Sequence, residues 1–276
     1  MTDARADVIA MYSRHPISAR HILSKIGPGP HPPEALWPHD QDHYGGLAAN
    51  KRLAEAVGMA PGMKIADFCA GIGGPARWFA HVKGVNVTGV DLCPDRVAGA
   101  AALNEAVGLS DGVRVLEGSI AAAPLPDAAF DAVVSQEAFM HVPDKAAALA
   151  EAFRALCPGG RLALTDITVP APLAAEDGAL LRRGLMFNSC VSPAEYVAAF
   201  EDAGFEDVRL TDLSAEWAEI LKERLRMYLE LREETAAAGT PQGDAWFYRA
   251  YPRFVELIAT GGMGGALVSG SKPEFR

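Results

Sequence analysis

Cysteine is scarce in this chain: four residues in 276 (Cys69, Cys93, Cys157 and Cys190), far apart and without a C-x-x-C pair. That scarcity argues against a disulfide framework and a zinc site, and predicts reduced thiols and a cytoplasmic location. Positive charge is also thin, with 25 Lys and Arg against 35 Asp and Glu and a net charge of −10. Such a surface repels phosphate backbones and anionic lipid, so neither nucleic acid nor membrane is expected as a partner. The one brief basic cluster, Lys222, Arg224 and Arg226, reads as a solvated helix face. Long apolar runs are missing too, and the first residues, Met1 to Asp7, hold no apolar stretch of the kind found in a secretory leader.

What is present is half apolar, with 27 Gly and 19 Pro, and is long enough for one domain with a full core and embellishments. From Lys64 on, short β-rich runs alternate with helical patterns. Met63–Asp67, Asn86–Asp91, Val113–Glu117, Phe130–Ser135 and Arg161–Thr165 read as strands, with helices at Pro75–His81, Pro94–Ala106 and Lys145–Leu156. The last of these helices is expected to stop at Pro158-Gly159-Gly160. This alternation predicts an α/β fold: a Rossmann-like, mostly parallel, seven-stranded sheet with helices on both faces, completed by strands at Val208–Asp212 and Ala266–Ser269. Ligands on such sheets sit beyond the carboxyl ends of the strands, where the winding reverses.

Three segments lie outside the alternation. Residues 1–46, rich in Pro and His, are expected to form an N-terminal cap on a core of residues 47–276. Insertions at about 171–191 and 214–262 are expected to form a helical substrate lid, including helices at Trp217–Leu231 and Phe247–Ile258. Ser192-Pro193-Ala194-Glu195 reads as a capping box opening a further helix.

The chemically informative stretch is Ile65-Ala66-Asp67-Phe68-Cys69-Ala70-Gly71-Ile72-Gly73-Gly74-Pro75-Ala76-Arg77, a strand that ends in an acid and turns through small residues into a helix. About 20 residues past Gly71, Asp91 ends the next strand, placed for two ribose hydroxyls. Taken literally, Gly71 to Ala76 satisfies G-x-G-x-x-[GA], the dinucleotide pattern, so an NAD(P)-dependent oxidoreductase is a competing reading. Two details weigh against it. Asp67 would repel a pyrophosphate but suits the ammonium of a methionine moiety, and Pro75 removes an N–H from the helix start that a pyrophosphate would use.

The same stretch resembles motif I of class I S-adenosylmethionine-dependent methyltransferases. Gly89-Val90-Asp91-Leu92 resembles that family's ribose motif, and Glu117-Gly118-Ser119-Ile120 falls where the family reads adenine. Phe130 to Glu137 resembles its fourth strand and loop, and Leu156-Cys157-Pro158-Gly159-Gly160 its L-x-P-G-G turn. Upstream, His43-Tyr44-Gly45-Gly46-Leu47 and the loop Gln136-Glu137-Ala138-Phe139-Met140-His141 resemble small-molecule enzymes of the sarcosine/dimethylglycine methyltransferase group. Cys69 departs from the family pattern, standing where a glycine is usual, and Ser119 replaces the common Asp.

The resemblance implies S-adenosylmethionine as cofactor, held by Asp67, Cys69, Ala70, Gly71, Gly73, Asp91, Leu92, Ser119, Ile120, Gln136 and Tyr44. The chemistry is expected to fall to His141 as general base, Glu137 as holder of a cationic amine, and Tyr44 against the sulfonium. Tyr12 and Trp217 are secondary candidates for closing the pocket, with core packing the simpler role for each. His39-Asp40-Gln41-Asp42-His43 contains enough ligand types for a divalent metal, but no companion cluster is evident and no metal is expected. The implied acceptor is a small molecule, by preference a compact amine or amino-acid-like nitrogen, with O-, S- or C-methylation and a non-enzymatic cofactor-binding module as alternatives. Oligomeric state is open, a homodimer included.

Overall fold

The computed structural model describes residues 4–13, 15, 17–237 and 245–274. Its strands are β1 (Lys64–Phe68), β2 (Asn86–Asp91), β3 (Val113–Glu117), β4 (Phe130–Gln136), β5 (Leu156–Thr168), β6 (Glu206–Asp212) and β7 (Gly264–Ser271). The helices are α1 (Ala4–Tyr12), α2 (Ala19–Ile26), α3 (Gly46–Ala56), α4 (Gly74–Lys83), α5 (Pro94–Ala106), α6 (Lys145–Ala155), α7 (Ala175–Leu185), α8 (Pro193–Asp202), α9 (Ser214–Ala237) and α10 (Ala245–Ala259). One sheet runs in the order β3-β2-β1-β4-β5-β7-β6. Pairings among β1 to β5 are parallel; β7 runs antiparallel to both neighbours, so the mostly parallel sheet is mixed at one edge.

The central strands are buried on both faces, which explains why they read as continuous apolar runs: Ile65 to Phe68 and Val87 to Asp91 are all buried. Between β1 and β4, adjacent in space but not in sequence, the winding reverses. A crevice therefore opens beyond the carboxyl ends of β1, β2 and β4, bounded by their following loops.

One boundary differs from the sequence reading. α6 ends at Ala155, and Leu156 is already extended (ψ 138°), pairing with Phe130 before a register irregularity ahead of Ala132 and Arg161. Pro158-Gly159-Gly160 thus lies within the β5 segment instead of stopping the helix. The cause is tertiary: Leu156, fully buried, packs in the sheet core.

Most aromatic residues of the inserted helices are core. Leu181 and Leu185 of α7, Trp217, Leu221 and Tyr228 of α9, and Tyr251 and Phe254 of α10 share one buried cluster with Ile65, Val87, Val134 and Ala163 of the sheet. Trp217 is a core residue here, 1% exposed. α7 meets α10 closely at Gly184, where a Cβ would lie 2.4 Å from the Ala250 Cβ. At α8 the capping box forms, with Ser192 Oγ accepting from the Glu195 N–H and the Glu195 carboxylate accepting from the Ser192 N–H. A separate cluster of Ile22, Leu36, Ile72, Leu103 and Val107 fastens the N-terminal segment to α5 and the β1–α4 loop. Full burial of Ile22 and Leu36 contributes roughly 1.5–3 kcal/mol each. Among the described residues no helix is long and apolar enough to cross a membrane.

Candidate functional site

The crevice is a cavity of about 440 Å³, within the range that small-molecule and cofactor sites occupy. Its walls bring together Asp67, Cys69, Ala70 and Gly71 from the β1–α4 loop, Asp91 and Leu92 after β2, and Ser119 and Ile120 after β3. Gln136, Glu137 and His141 enter after β4, and Tyr12 with Val8 from α1 covers them.

Asp67 is 4% exposed, and its Oδ2 is buried with no hydrogen-bond partner. Burial, reinforced by the Asp91 charge, pushes its pKa up to about 8. A cation in the crevice would remove both penalties. Asp91 is braced differently: its Oδ2 accepts from the Gly71 N–H at 2.7 Å and its Oδ1 from the Cys93 N–H at 2.9 Å. Each oxygen keeps a lone pair for a further donor, such as a sugar hydroxyl. Ser119 Oγ accepts from the Ala121 N–H, leaving its own proton to donate. Cys69 adopts φ +60°, the left-handed conformation that the missing glycine would have taken without strain. These donors and acceptors fit a sulfonium amino acid joined to a nucleoside: a buried unpaired acid for the ammonium, a braced acid for the ribose, a hydroxyl for the base.

They fit a dinucleotide poorly. The Asp40 carbonyl crosses so close over the start of α4 that a Cβ on Gly74 would lie 1.9 Å from it. With Pro75 also in the first turn, the helix N-terminus is covered and short of a donor.

Two expected contacts turn elsewhere. Gly73, at φ +79°, is outside the cavity walls and faces the Arg77 guanidinium. The Tyr44 ring likewise lies outside the walls. It packs edge-on to Trp217 at 5.1 Å, beneath the Arg224 guanidinium at 5.2 Å, because Trp217 and the lid helices offer it an apolar seat. What Tyr44 gives the site is its backbone N–H, which donates to Glu137 Oε2 at 2.6 Å. Glu137 also accepts from the Thr165 hydroxyl, holds φ +43°, and is raised by burial to about 8. Gln136 donates to His43 Nδ1, while its Oε1 is buried without a partner.

His141 has both ring nitrogens engaged. Nδ1 lies 2.9 Å from the Met186 carbonyl, which can only accept, so Nδ1 carries the proton and Nε2 accepts from the Tyr12 hydroxyl at 3.0 Å. Burial pulls its pKa down to about 4. The imidazole is neutral and already capped.

The His39–His43 segment is a bracing strap. Asp40 pairs with the buried Arg77 at 2.9 Å, Asp42 with Arg96, Arg224 and His15, and Gln41 Oε1 accepts from Asn50 and lies 3.0 Å from His43 Nε2. Among the described residues no group of three or more His, Cys, Asp or Glu is arranged to hold a metal. Arg224 departs from the expected solvated face: it reaches inward to the His43 carbonyl at 2.9 Å, while Lys222 and Arg226 stay exposed and pair with glutamates. Neither Arg77 nor Arg224 was identifiable from sequence, since their partners lie far away along the chain.

This sheet order, with an unpaired acid and a braced acid at the ends of β1 and β2, defines the class I S-adenosylmethionine-dependent methyltransferase fold. Residues 66–164 match the family model described as a methyltransferase domain, and the chain carries a domain of that family.

Phosphoethanolamine N-methyltransferase 1 of Arabidopsis thaliana is 31% identical over 183 residues, 66% of this chain and 36% of that protein. Glycine/sarcosine/dimethylglycine N-methyltransferase of Actinopolyspora halophila is 32% identical over 193 residues, 68% of this chain and 33% of that protein. The chain thus spans about a third of the length of these curated relatives. The cyclopropane synthase MmaA2 of Mycobacterium tuberculosis superposes with a TM-score of 0.80 at 21% identity, covering 99% of each chain, which shows a shared fold.

Proposed function

We propose that this chain transfers the methyl group of S-adenosylmethionine to a compact small-molecule acceptor, and that the methylated atom is the nitrogen of an amine or amino-acid-like compound. The observation that carries the cofactor half is the unpartnered Asp67 carboxylate facing the cavity. The nitrogen half draws support from the two curated relatives, named as N-methyltransferases of phosphoethanolamine and of glycine, sarcosine and dimethylglycine.

When bound, the cofactor supplies a methyl group already activated on a sulfonium. Asp67 holds its ammonium, Asp91 its ribose hydroxyls, and Ser119 with Ile120 the adenine side. Alignment of acceptor and methyl then supplies most of the rate, on the order of 7–11 kcal/mol for well-oriented partners. An amine arrives as an ammonium and must lose a proton before it can attack. Glu137 is the better base for this: it lies on the cavity wall and titrates near 8, whereas His141 titrates near 4 with its lone pair occupied. His141 and Tyr12 instead fix the wall and hold α1 over it. On this reading the described parts of the segments 1–46, 171–191 and 214–262 serve as cap and lid on the acceptor side.

Calorimetry with S-adenosylhomocysteine tests the first half, and absence of binding ends the proposal. A mass-shift screen with isotopically labelled cofactor and a pool of amines, thiols, phenols and carboxylates tests the second. Label appearing only on oxygen, sulfur or carbon overturns the nitrogen assignment.

A further inference from the structure

His43 of the H-x-G-G-L segment lines the crevice but has no part in the chemistry above. Its side chain is buried and belongs to a run of hydrogen bonds whose direction is set from one end. Arg77 and Asp40, both buried, form an ion pair, so the Asp40 carboxylate can only accept. Gln41 therefore turns its Nε2 to Asp40 Oδ1, at 2.6 Å. Its Oε1 faces the other way, accepting from Asn50 Nδ2 at 2.7 Å and lying 3.0 Å from His43 Nε2. An amide oxygen in that place requires the imidazole proton to be on Nε2. Burial keeps the ring neutral, pulling its pKa down to about 4, so Nδ1 is bare. The Tyr44 carbonyl lies 3.4 Å from Nδ1, but it could bond only a proton there, and the shorter contact to Gln41 holds that proton on Nε2. Gln136 meets the bare nitrogen with an N–H, its Nε2 at 3.3 Å, and this turns its Oε1 away from His43.

That oxygen is buried and has no partner, in a residue of the cavity wall, and the same is true of Asp67 Oδ2. Among the described residues these are the two unpartnered side-chain oxygens in that wall. On the sheet, Asp67 pairs with Val134 in parallel register, and Gln136 lies two residues beyond Val134. Both side chains therefore leave the same face, at the carboxyl ends of adjacent strands. Buried acceptors left unpaired are rare in folded proteins unless a ligand completes them.

We propose that His43 is a positioning residue: fixed through Gln41 by the Asp40–Arg77 pair, it holds the Gln136 amide so that its oxygen joins Asp67 in receiving the ammonium of the cofactor. This inference rests on the methyl transfer proposed above. An ammonium has three N–H donors, enough for both oxygens. Reversed, the amide would turn its own NH2 group on that cation, and His43 prevents the reversal.

Two probes separate the outcomes: S-adenosylhomocysteine, and 5′-methylthioadenosine, which keeps the nucleoside and lacks the amino-acid end. Calorimetry on the full chain should show His43→Leu weakening S-adenosylhomocysteine about tenfold, the range for one lost hydrogen bond to a charged group, while 5′-methylthioadenosine affinity holds. Gln136→Leu should lose as much, and the double variant no more than either, since both remove one contact. His43→Asn, which carries an oxygen where His43 carries Nδ1, should recover part of the loss. In the unaltered chain, imidazole nitrogen NMR shifts should show His43 neutral at pH 7 with its proton on Nε2.

An equal loss for both probes makes His43 merely structural and overturns the proposal. So does a double variant whose losses add, or a His43 proton found on Nδ1. The last needs no substitution, so the proposal can be refuted even where His43→Leu fails to fold. Absence of S-adenosylhomocysteine binding in the unaltered chain is a separate failure, that of the methyltransferase reading beneath it, and removes the proposal with it.

Discussion

The Tyr12 hydroxyl donates to Nε2 of His141 at 3.0 Å across 129 residues of sequence, and so closes the first helix onto the loop after β4. The bond occupies the lone pair that a histidine base would use. It also makes α1 a wall of the cofactor crevice.

Removing that hydroxyl leaves His141 Nε2 buried and unpaired, a cost of roughly 1–3 kcal/mol. Tyr12→Phe should therefore lower the melting temperature and weaken S-adenosylhomocysteine binding severalfold. A differential scan and a calorimetric titration check both. If the variant instead abolished turnover with binding intact, a direct chemical role for Tyr12 would replace the structural one.

Asp67 should make cofactor binding pH-dependent. In the ligand-free chain it holds its proton up to about pH 8, and a bound ammonium favours the carboxylate. Binding at pH 7 should thus release a proton, and affinity should rise with pH toward 8. Titrations in buffers of different ionisation heat measure that proton directly. Asp67→Asn should weaken binding by about 10- to 100-fold, the range for a charge-assisted hydrogen bond.

The same substitution should stabilise the empty protein. An acid whose folded pKa is raised loses its proton first in the unfolded chain, so stability falls as pH climbs from the unfolded value of 3.8 toward about 8. Asn carries no such penalty. Ligand-free Asp67→Asn should melt higher than the parent at pH 7.5 and show little advantage at pH 4.

At saturating cofactor, turnover should rise with pH to a plateau above about 8, following Glu137. No inflection near 6.5 should belong to His141, which is held near 4. Glu137→Gln should remove the rising limb and lower kcat by about 100-fold or more, as loss of a general base does. A pH profile that is unaltered in Glu137→Gln would return the base role to another group.

Gly74→Ala should disrupt the cap. Its new methyl would meet the Asp40 carbonyl at 1.9 Å, and relief requires the strap to lift from α4. The cost is on the order of 3 kcal/mol, read in urea midpoints. Asp40→Ala should cost about 3–5 kcal/mol by stranding the buried Arg77. Pairing it with Arg77→Met should recover most of that loss. Chelator treatment should leave cofactor affinity unchanged.

Much of the fold was legible because its signals are local. The strand Asn86–Asp91, the helix Pro94–Ala106 and the capping box at Ser192 stand at the bounds read from sequence. So do the loops carrying Asp67, Asp91 and Ser119, which converge on one cavity with Glu137 and His141. Tyr44 and Gly73 were legible only as positions. Neither side-chain direction nor the Gly73 environment follows from motif spacing, because Trp217 and Arg77 set them. Arg224 was misread for the same reason: its neighbours Lys222 and Arg226 are exposed, and nothing nearby in sequence marks it as turned inward.

By itself the sequence determined the alternation of strands and helices, the sheet they must build, and the acids that end β1 and β2. Hydrophobic period, turn residues and capping act over a few positions, and a chain carries them wherever it folds. Only the tertiary structure decided that Asp67 lacks a partner, that Tyr12 caps His141, and that Arg224 meets His43 from 181 residues away. Those are differences in burial and contact between distant segments, and they exist only once the sheet, the cap and the lid helices have closed around one cavity.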